Sequence, residues 1–354
     1  MKNKVGFYTI TTTYVGTLFG AGFVSGQELL QFFAVYPDKA LFGIIILAFM
    51  VFIFSFMVMH SSYLRQPNSF EQVIVGENKI LKLFVNCTFL FFSAGVLVIM
   101  FAGAGALFNS ILGLPNIIGS ILLCLLVIFI GLKDTSGIMN TFKILTPIMF
   151  VIAIITALLG INLEVGSIPL IDHGPLKFTW WFSAILYMTY NFYLEIGLLS
   201  PMGKNAKSTK EIFKGALCSA LILGVICYAV VFSIIHNIES VHNVEMPMLE
   251  ISKNISPLMN NVYAFVLFGG LVSASIGMLF AILNYIDGSN NTKIKNRKLT
   301  IPILCLVALS LSSLGFSSLI SIVYPILGYF GLLALVGVTI NYIINIKKYK
   351  TNKQ

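Results

Sequence analysis

Apolar positions in this chain run together in long blocks, without the polar stripe that a helix or strand on a water-soluble domain shows. Such blocks fall near residues 6–35, 40–60, 81–108, 115–132, 142–161, 177–200, 212–236, 258–284, 299–314 and 318–346. A helix needs roughly 20 largely apolar residues to cross the hydrocarbon core, so the pattern predicts an all-α integral membrane protein of about ten transmembrane helices. The stretch Leu83 to Leu132 carries no charge and is too long for one helix, and Gly113-Leu114-Pro115-Asn116 supplies the turn that divides it. Once the spans are assigned no soluble domain is left, and residues 1–354 read as a single transmembrane domain. The first apolar block continues into structure the fold needs and shows no small-residue cleavage site, so it is expected to be a span, not a cleaved signal peptide.

Charge orients the spans. If Met1 is cytoplasmic and the spans alternate, only Lys39, Lys177 and Lys253 of the 22 basic residues lie outside, leaving 19 inside. They cluster at Lys204/Lys207/Lys210/Lys214, Lys293/Lys295/Arg297/Lys298 and Lys347/Lys348/Lys350/Lys353. That bias is the positive-inside rule. It places both termini in the cytoplasm of a multi-pass protein of the cell membrane, the inner membrane of a bacterium. It also accounts for the net charge of +9 without a nucleic-acid partner. The longest outside loop, 237–257, contains Pro247 at the start of an apolar and acidic run, which suggests a short surface helix. It is either a lid over an external opening or a solvated connector.

Composition narrows the class. Hydrophobic residues make up 58% of the chain and charged ones 10%, against roughly 25% charged in a soluble domain. The five cysteines lie inside apolar runs with no paired spacing, which speaks against a disulfide framework or zinc site. No phosphate-cradling G-x-x-x-x-G-K-[ST] and no H-E-x-x-H occurs, so neither an ATP-driven pump nor a membrane enzyme is expected.

The first span contains Gly16-Thr17-Leu18-Phe19-Gly20-Ala21-Gly22-Phe23-Val24-Ser25-Gly26-Gln27-Glu28. Glycine costs about 1 kcal/mol relative to alanine inside a helix, and Ser25-x-x-Glu28 has the form of a capping box, a helix-start signal. Two half-helices, 6–20 and 26–35, joined by an unwound Ala21–Ser25, are predicted. Irregular backbone at that depth is tolerated only where it is buried in protein or lines a polar cavity. Its free carbonyls suit a cation, and its free N–H groups suit an anion such as a substrate carboxylate. The alternative is an unbroken helix using Gly16/Gly20 and Gly22/Gly26 as packing faces.

A second polar cluster, Thr189, Asn191 and Glu195, falls mid-span in Tyr187–Gly197. Breaks at matching places in two halves point to the substrate site of inverted-repeat transporters. Here that implies a broken sixth helix and a five-plus-five inverted repeat, about 5–161 and 177–346. Glu28 and Glu195 are the two acidic residues well inside spans. A charged carboxylate there costs about 2.5–3.5 kcal/mol or more, so each asks for a reason: ion coupling, a cationic substrate group, or a local structural bond.

These segments, with Ala102-Gly103-Ala104-Gly105-Ala106-Leu107-Phe108 and Ser183 through Lys204, resemble the amino acid–polyamine–organocation superfamily and its LeuT-type fold, and more closely the YkvI-type bacterial membrane proteins, which have no settled substrate. The resemblance implies a sodium site formed by Gly16 and Phe19 of the first span with Gly269 and Ser273 of the eighth. Val272 stands where sodium-coupled members usually carry a hydroxyl, which leaves sodium and protons both open. The expected function is cation-coupled symport of a small amino acid or related amine. It would be bound by Ala21, Gly22, Phe23, Val24 and Ser25 facing Thr189, Tyr190, Asn191 and Phe192, with Gly16, Phe19, Gly269, Ser273, Glu28 and Glu195 as ion-coupling residues. No cofactor other than Na+ is implied. The rival is a sensor that binds a small molecule on a transporter fold without moving it.

Overall fold

The computed structural model describes residues 4–18, 21–132, 136–161, 178–289 and 297–351. The first span is broken into α1 (Phe7–Leu18), α2 (Ala21–Ser25) and α3 (Gln27–Leu29), the last continuing as a π-turn over Leu30–Ala34. There follow α4 (Ala40–Arg65), α5 (Glu71–Val75), α6 (Lys79–Leu112), α7 (Asn116–Leu132) and α8 (Ser136–Gly160). The second half holds α9 (Trp180–Lys204), α10 (Thr209–His236), α11 (Ile238–Val241), α12 (Pro247–Ile255), α13 (Pro257–Ser289), α14 (Arg297–Ser312) and α15 (Phe316–Thr351). Among the described residues five helices are long and apolar enough to cross a membrane, and 116–132, 148–160 and 298–312 are shorter apolar helices. The broken first span and α9 are more polar at their centres, where the site lies.

Local sequence explains the helix starts. Asn78 Oδ1 accepts the Ile80 and Leu81 amides at 3.0 and 3.1 Å to open α6. Ser208 Oγ takes the Glu211 amide at 3.3 Å to open α10, as N-caps do. Pro247 occupies the first turn of α12, so the helix expected in the 237–257 loop is present.

Helices α1, α4, α9 and α10 pack on one another as one group, while α6, α7, α8, α13 and α14 form a second around it, with α15 lying along α9, α6 and α4. Two close approaches fix this arrangement. A methyl built on Gly203 of α9 would meet the Met59 carbonyl oxygen of α4 at 2.2 Å, and one on Gly331 of α15 would meet the Thr189 carbonyl oxygen of α9 at 2.1 Å. Small residues at such crossings let backbones come together where hydrocarbon offers no hydrophobic drive between helices. The Ala102–Ala106 segment works the same way, Gly105 of α6 facing the Asn116 carbonyl of α7.

Two sequence expectations need correction. The sixth helix is not broken: α9 runs continuously from Trp180 to Lys204. Its polar residues are satisfied without opening the backbone, because Asn191 Nδ2 donates to the Tyr187 carbonyl at 2.9 Å and Thr189 Oγ1 to the Leu186 carbonyl at 3.0 Å. Tyr187–Ile196 also contains no Gly or Pro to interrupt it. The first span does break, but Ala21–Ser25 is a helical turn, not unwound chain. Ser25 Oγ donates to the Gly22 carbonyl at 2.7 Å and the Gly26 amide to the Phe23 carbonyl at 2.9 Å, closing the turn. The reversal falls one residue later, at Gly26. Of the five cysteines, Cys124, Cys227 and Cys305 are buried as small hydrophobes, whereas Cys87 is exposed on α6.

Candidate functional site

Gly26 adopts φ +81°, in the left-handed region, which costs a residue bearing a Cβ about 1–2 kcal/mol. A methyl there would also meet Met248 Cγ of α12 at 2.7 Å and the Met248 amide nitrogen at 3.2 Å. Gly26→Ala is therefore expected to lower the melting temperature in detergent and to loosen α12 from the break, read as faster proteolysis of the 237–257 segment. An unchanged melting temperature would count against this account of the turn.

The expected capping box does not form. Ser25 Oγ accepts the Gln27 amide at 3.2 Å, and Glu28 turns away from the helix start. Its carboxyl lies against the backbone of the preceding turn, where a methyl on Gly22 would fall 1.7 Å from Glu28 Oε1 and 2.6 Å from its Cδ. Glu28 Oε2 accepts a hydrogen bond from the Tyr190 hydroxyl of α9. The Tyr190 ring stacks on Tyr324 of α15 at 4.5 Å and 15°, and Tyr187 meets Tyr190 edge-on at 5.4 Å. The buried Tyr187 hydroxyl has no hydrogen-bond partner and lies beside the same carboxyl. Nearer the N-terminal end, Glu195 Oε2 of α9 accepts the Thr17 hydroxyl of α1 at 2.9 Å. The buried, unpartnered Tyr14 hydroxyl lies close to it. Both carboxyls are buried, Glu28 at 5% and Glu195 at 8% exposure. Among the described residues the ion pairs are Lys82–Glu77 and Lys253–Glu250, and neither involves these groups.

The two carboxyls line one cavity of about 450 Å³, in the range of small-ligand sites. Its wall on α9 runs from Tyr190 to Leu198, on α13 from Gly270 to Ala281, and on α6 from Met100 back to Phe89. On each helix that direction leads from the break toward the end of the bundle where α1 begins. The opposite end is sealed. Gln27 Nε2 and Gln31 Nε2 donate to Ser317 Oγ at 2.7 and 3.2 Å, and the Ser317 amide donates to Glu245 Oε1 at 3.3 Å. Tyr36 donates to the Phe178 carbonyl, Tyr263 to the Val24 carbonyl at 2.5 Å, and buried Met246, Met248, Leu249 and Ile251 cover the break. The start of α1 is tied to the α9–α10 turn, with Val5 amide to Asn205 carbonyl at 2.8 Å, Lys207 amide to Val5 carbonyl at 2.9 Å, and Phe7 amide to Glu211 Oε2 at 2.7 Å.

Of the residues named from sequence, Gly16, Gly22, Glu28, Tyr190, Asn191, Glu195 and Ser273 line this cavity. Phe23, Val24 and Ser25 are buried in the protein around the break and do not line it. Thr189 faces α15, donating to the Gly328 carbonyl at 2.8 Å, and Phe192 packs against Phe54 of α4. A helix presents only one face to a cavity, and the run 189–192 was read as if all of it did. Gly270 lines the cavity in place of Gly269. Phe19 lies outside the described residues, as does the side chain of Ala21. Sequence reading missed Thr17, Tyr324, Gln27, Gln31 and Ser317. Tyr324 in an apolar run and Gln27 and Gln31 within a span were polar enough to flag, but nothing in sequence says that 317–324 lies beside 22–31.

No family model matches the chain. Two proteins of Bacillus subtilis (strain 168) are similar over almost all of it. The uncharacterized membrane protein YkvI is 26% identical over 329 residues, 92% of each chain. The uncharacterized protein YyaD is 26% identical over 328 residues, 91% of this chain and 93% of its own. Among solved structures, MhsT in complex with L-phenylalanine superposes with a TM-score of 0.59 at 15% identity, covering 95% of this chain and 97% of that one. A Na+-coupled sialic acid symporter in a substrate-bound outward-open state gives 0.60 at 14% identity, covering 97% and 79%. A manganese transporter of Eremococcus coleocola gives 0.57 at 12% identity, covering 96% and 86%. Identities this low carry the fold and no more. The chain is a multi-pass membrane protein similar along nearly its whole length to YkvI and YyaD, and its fold is that of the LeuT-type transporters.

Proposed function

We propose that the protein is a secondary transporter that moves a small amino acid or related amine together with a cation, by alternating access. The observation that carries this reading is the mid-bundle cavity, bounded by the broken first span and holding two buried carboxyls, Glu28 and Glu195. Burying a charge without a partner is costly. A cation, whether an ion, a proton or an ammonium group, must therefore accompany each carboxylate when it enters the bilayer interior. With both termini cytoplasmic, the cavity extends toward the cytoplasm, and the side sealed by Gln27, Gln31, Ser317 and α12 is external. The conformation is then inward-facing, and α12 acts as the outer lid. Alternating access would exchange these seals for ones at the α1 end, in the manner of repeat-based rocking.

Gly16 and Ser273 lie on the wall of the same cavity, which supports sodium as the coupling ion; Glu195 supports the alternative, a proton. A manganese cargo is not favoured, because among the described residues no group of three His, Cys, Asp or Glu converges. Uptake into proteoliposomes under imposed sodium or proton gradients tests the reading, and accumulation driven by one gradient is expected. Binding without flux under either gradient would instead mark a sensor. If protons couple through Glu195, Glu195→Gln is expected to abolish gradient-driven accumulation while substrate exchange persists. Intact proton coupling in that variant would remove Glu195 from the mechanism.

A further inference from the structure

Resting on the transporter reading above, we infer that Glu28 supplies from within the protein the carboxylate that fills the space against the first-span turn. The substrate is then an organic amine that carries no carboxylate of its own. Sequence reasoning left that space for the acid group of an amino acid. The structure fills it: Glu28 Oε1 stands where a side chain at Gly22 would begin, 1.7 Å from an ideal methyl carbon, and Oε2 is held by Tyr190. An amino acid entering the same space would bring a second carboxylate next to the first. Like charges at short range disfavour one another, and among the described residues no Lys or Arg is paired with Glu28 to offset them.

The surroundings have the opposite character, suited to a cation. The stacked Tyr190 and Tyr324 rings and the edge-on Tyr187 ring surround the carboxyl, and aromatic faces attract ammonium groups electrostatically, most strongly when desolvated. A carboxylate offers about four acceptor positions; Tyr190 takes one and the Tyr324 and Tyr187 hydroxyls lie against the same group, so an ammonium takes the position that remains. Beyond this corner the wall carries apolar Phe89, Val96, Met100, Leu194 and Met278 together with polar Thr17, Asn191, Glu195 and Ser273. It suits the hydrocarbon body of a primary amine and offers no Lys or Arg to a distal acid group.

Binding to the purified protein, measured by calorimetry apart from any flux, tests this with three matched pairs: phenethylamine and phenylalanine, isoamylamine and leucine, cadaverine and lysine. At least one amine is expected to bind about tenfold or more tighter than its amino acid, a difference of about 1.4 kcal/mol. Glu28→Gln is expected to weaken that amine by about tenfold or more, as loss of a charge-assisted contact does. Should Glu28→Gln not fold, the wild-type comparison decides with Tyr190→Phe, in which amine affinity is expected to fall with the release of the carboxyl. Amino acids that bind as tightly as their amines in every pair that binds overturn the inference. So does amine affinity that survives Glu28→Gln, or the failure of all three amines to bind. Amine binding without flux under either gradient leaves the inference standing and overturns the transport reading instead.

Discussion

Gly22→Ala is expected to leave the protein folded and inserted while removing most of its ligand binding and uptake. The added methyl carbon needs the volume that Glu28 Oε1 occupies, at 1.7 Å from it, and Glu28 Cδ is only 2.6 Å away. The obstructing group is the far end of a flexible side chain, so the backbone of α2 and α3 need not move and the fold is kept, with stability lowered only by the bond the carboxyl gives up. What must move is the carboxyl, which loses its bond from Tyr190. The ligand's ammonium loses its own contact with the displaced carboxyl, and a hydrogen bond to a charged group is worth about 1.5–3 kcal/mol. At 1.4 kcal/mol per factor of ten, affinity should fall about 10- to 150-fold. Because the methyl acts through Glu28, adding it to Glu28→Gln should cost little more, within about 0.5 kcal/mol of Glu28→Gln alone. Wild-type affinity in Gly22→Ala, or simple additivity in the double variant, would show that the carboxyl over Gly22 is not the ligand contact.

Gly331→Ala should give the largest loss of stability of any change considered. Its methyl would lie 2.1 Å from the Thr189 carbonyl oxygen and 2.5 Å from the carbonyl carbon. Both atoms belong to the backbone of an unbroken helix, so neither can swing aside, and α15 must back away from α9. Overpacking of this kind costs about 1–3 kcal/mol and sometimes more. It also reaches the site: Tyr324, two turns earlier on α15, stacks on Tyr190 at 4.5 Å, and that stack loosens as the helices part. Thermal unfolding in detergent, followed by tryptophan emission and size exclusion, should show the loss. Gly277→Ala is the stability control, since nothing lies within 4 Å of its added methyl and alanine is the better helix former by about 1 kcal/mol. If Gly331→Ala melts with the wild type, the close crossing of α9 and α15 is not as described.

The break in the first span was legible because its cause is local. Glycine density and a small polar cluster act within a few residues, and Gly26 itself supplies the positive φ. Its exact register was not legible, because Ser25-x-x-Glu28 fits a capping box and yet Glu28 is drawn off by Tyr190, 162 positions away. The same blindness produced the error in α9. Thr189, Asn191 and Glu195 looked like the marks of a second break, but the first two close onto their own helix and the third takes Thr17 from α1. Polar side chains in a span announce that something must be satisfied, and they do not say whether backbone, neighbour or ligand will do it.

Membrane residence, the approximate spans and the helical class follow from the residues alone, since transfer of apolar side chains into hydrocarbon and the need to satisfy every backbone amide there are additive, near-neighbour effects. Which carboxyl sits over Gly22, which tyrosines surround it and which end of the cavity is shut depend on contacts between segments hundreds of residues apart. Those contacts are set by backbone crossings such as Gly331 on Thr189, whose partners are chosen by shape complementarity across the whole bundle. No window of sequence contains both surfaces, so the chemistry of the site became readable only when the helices were placed against one another.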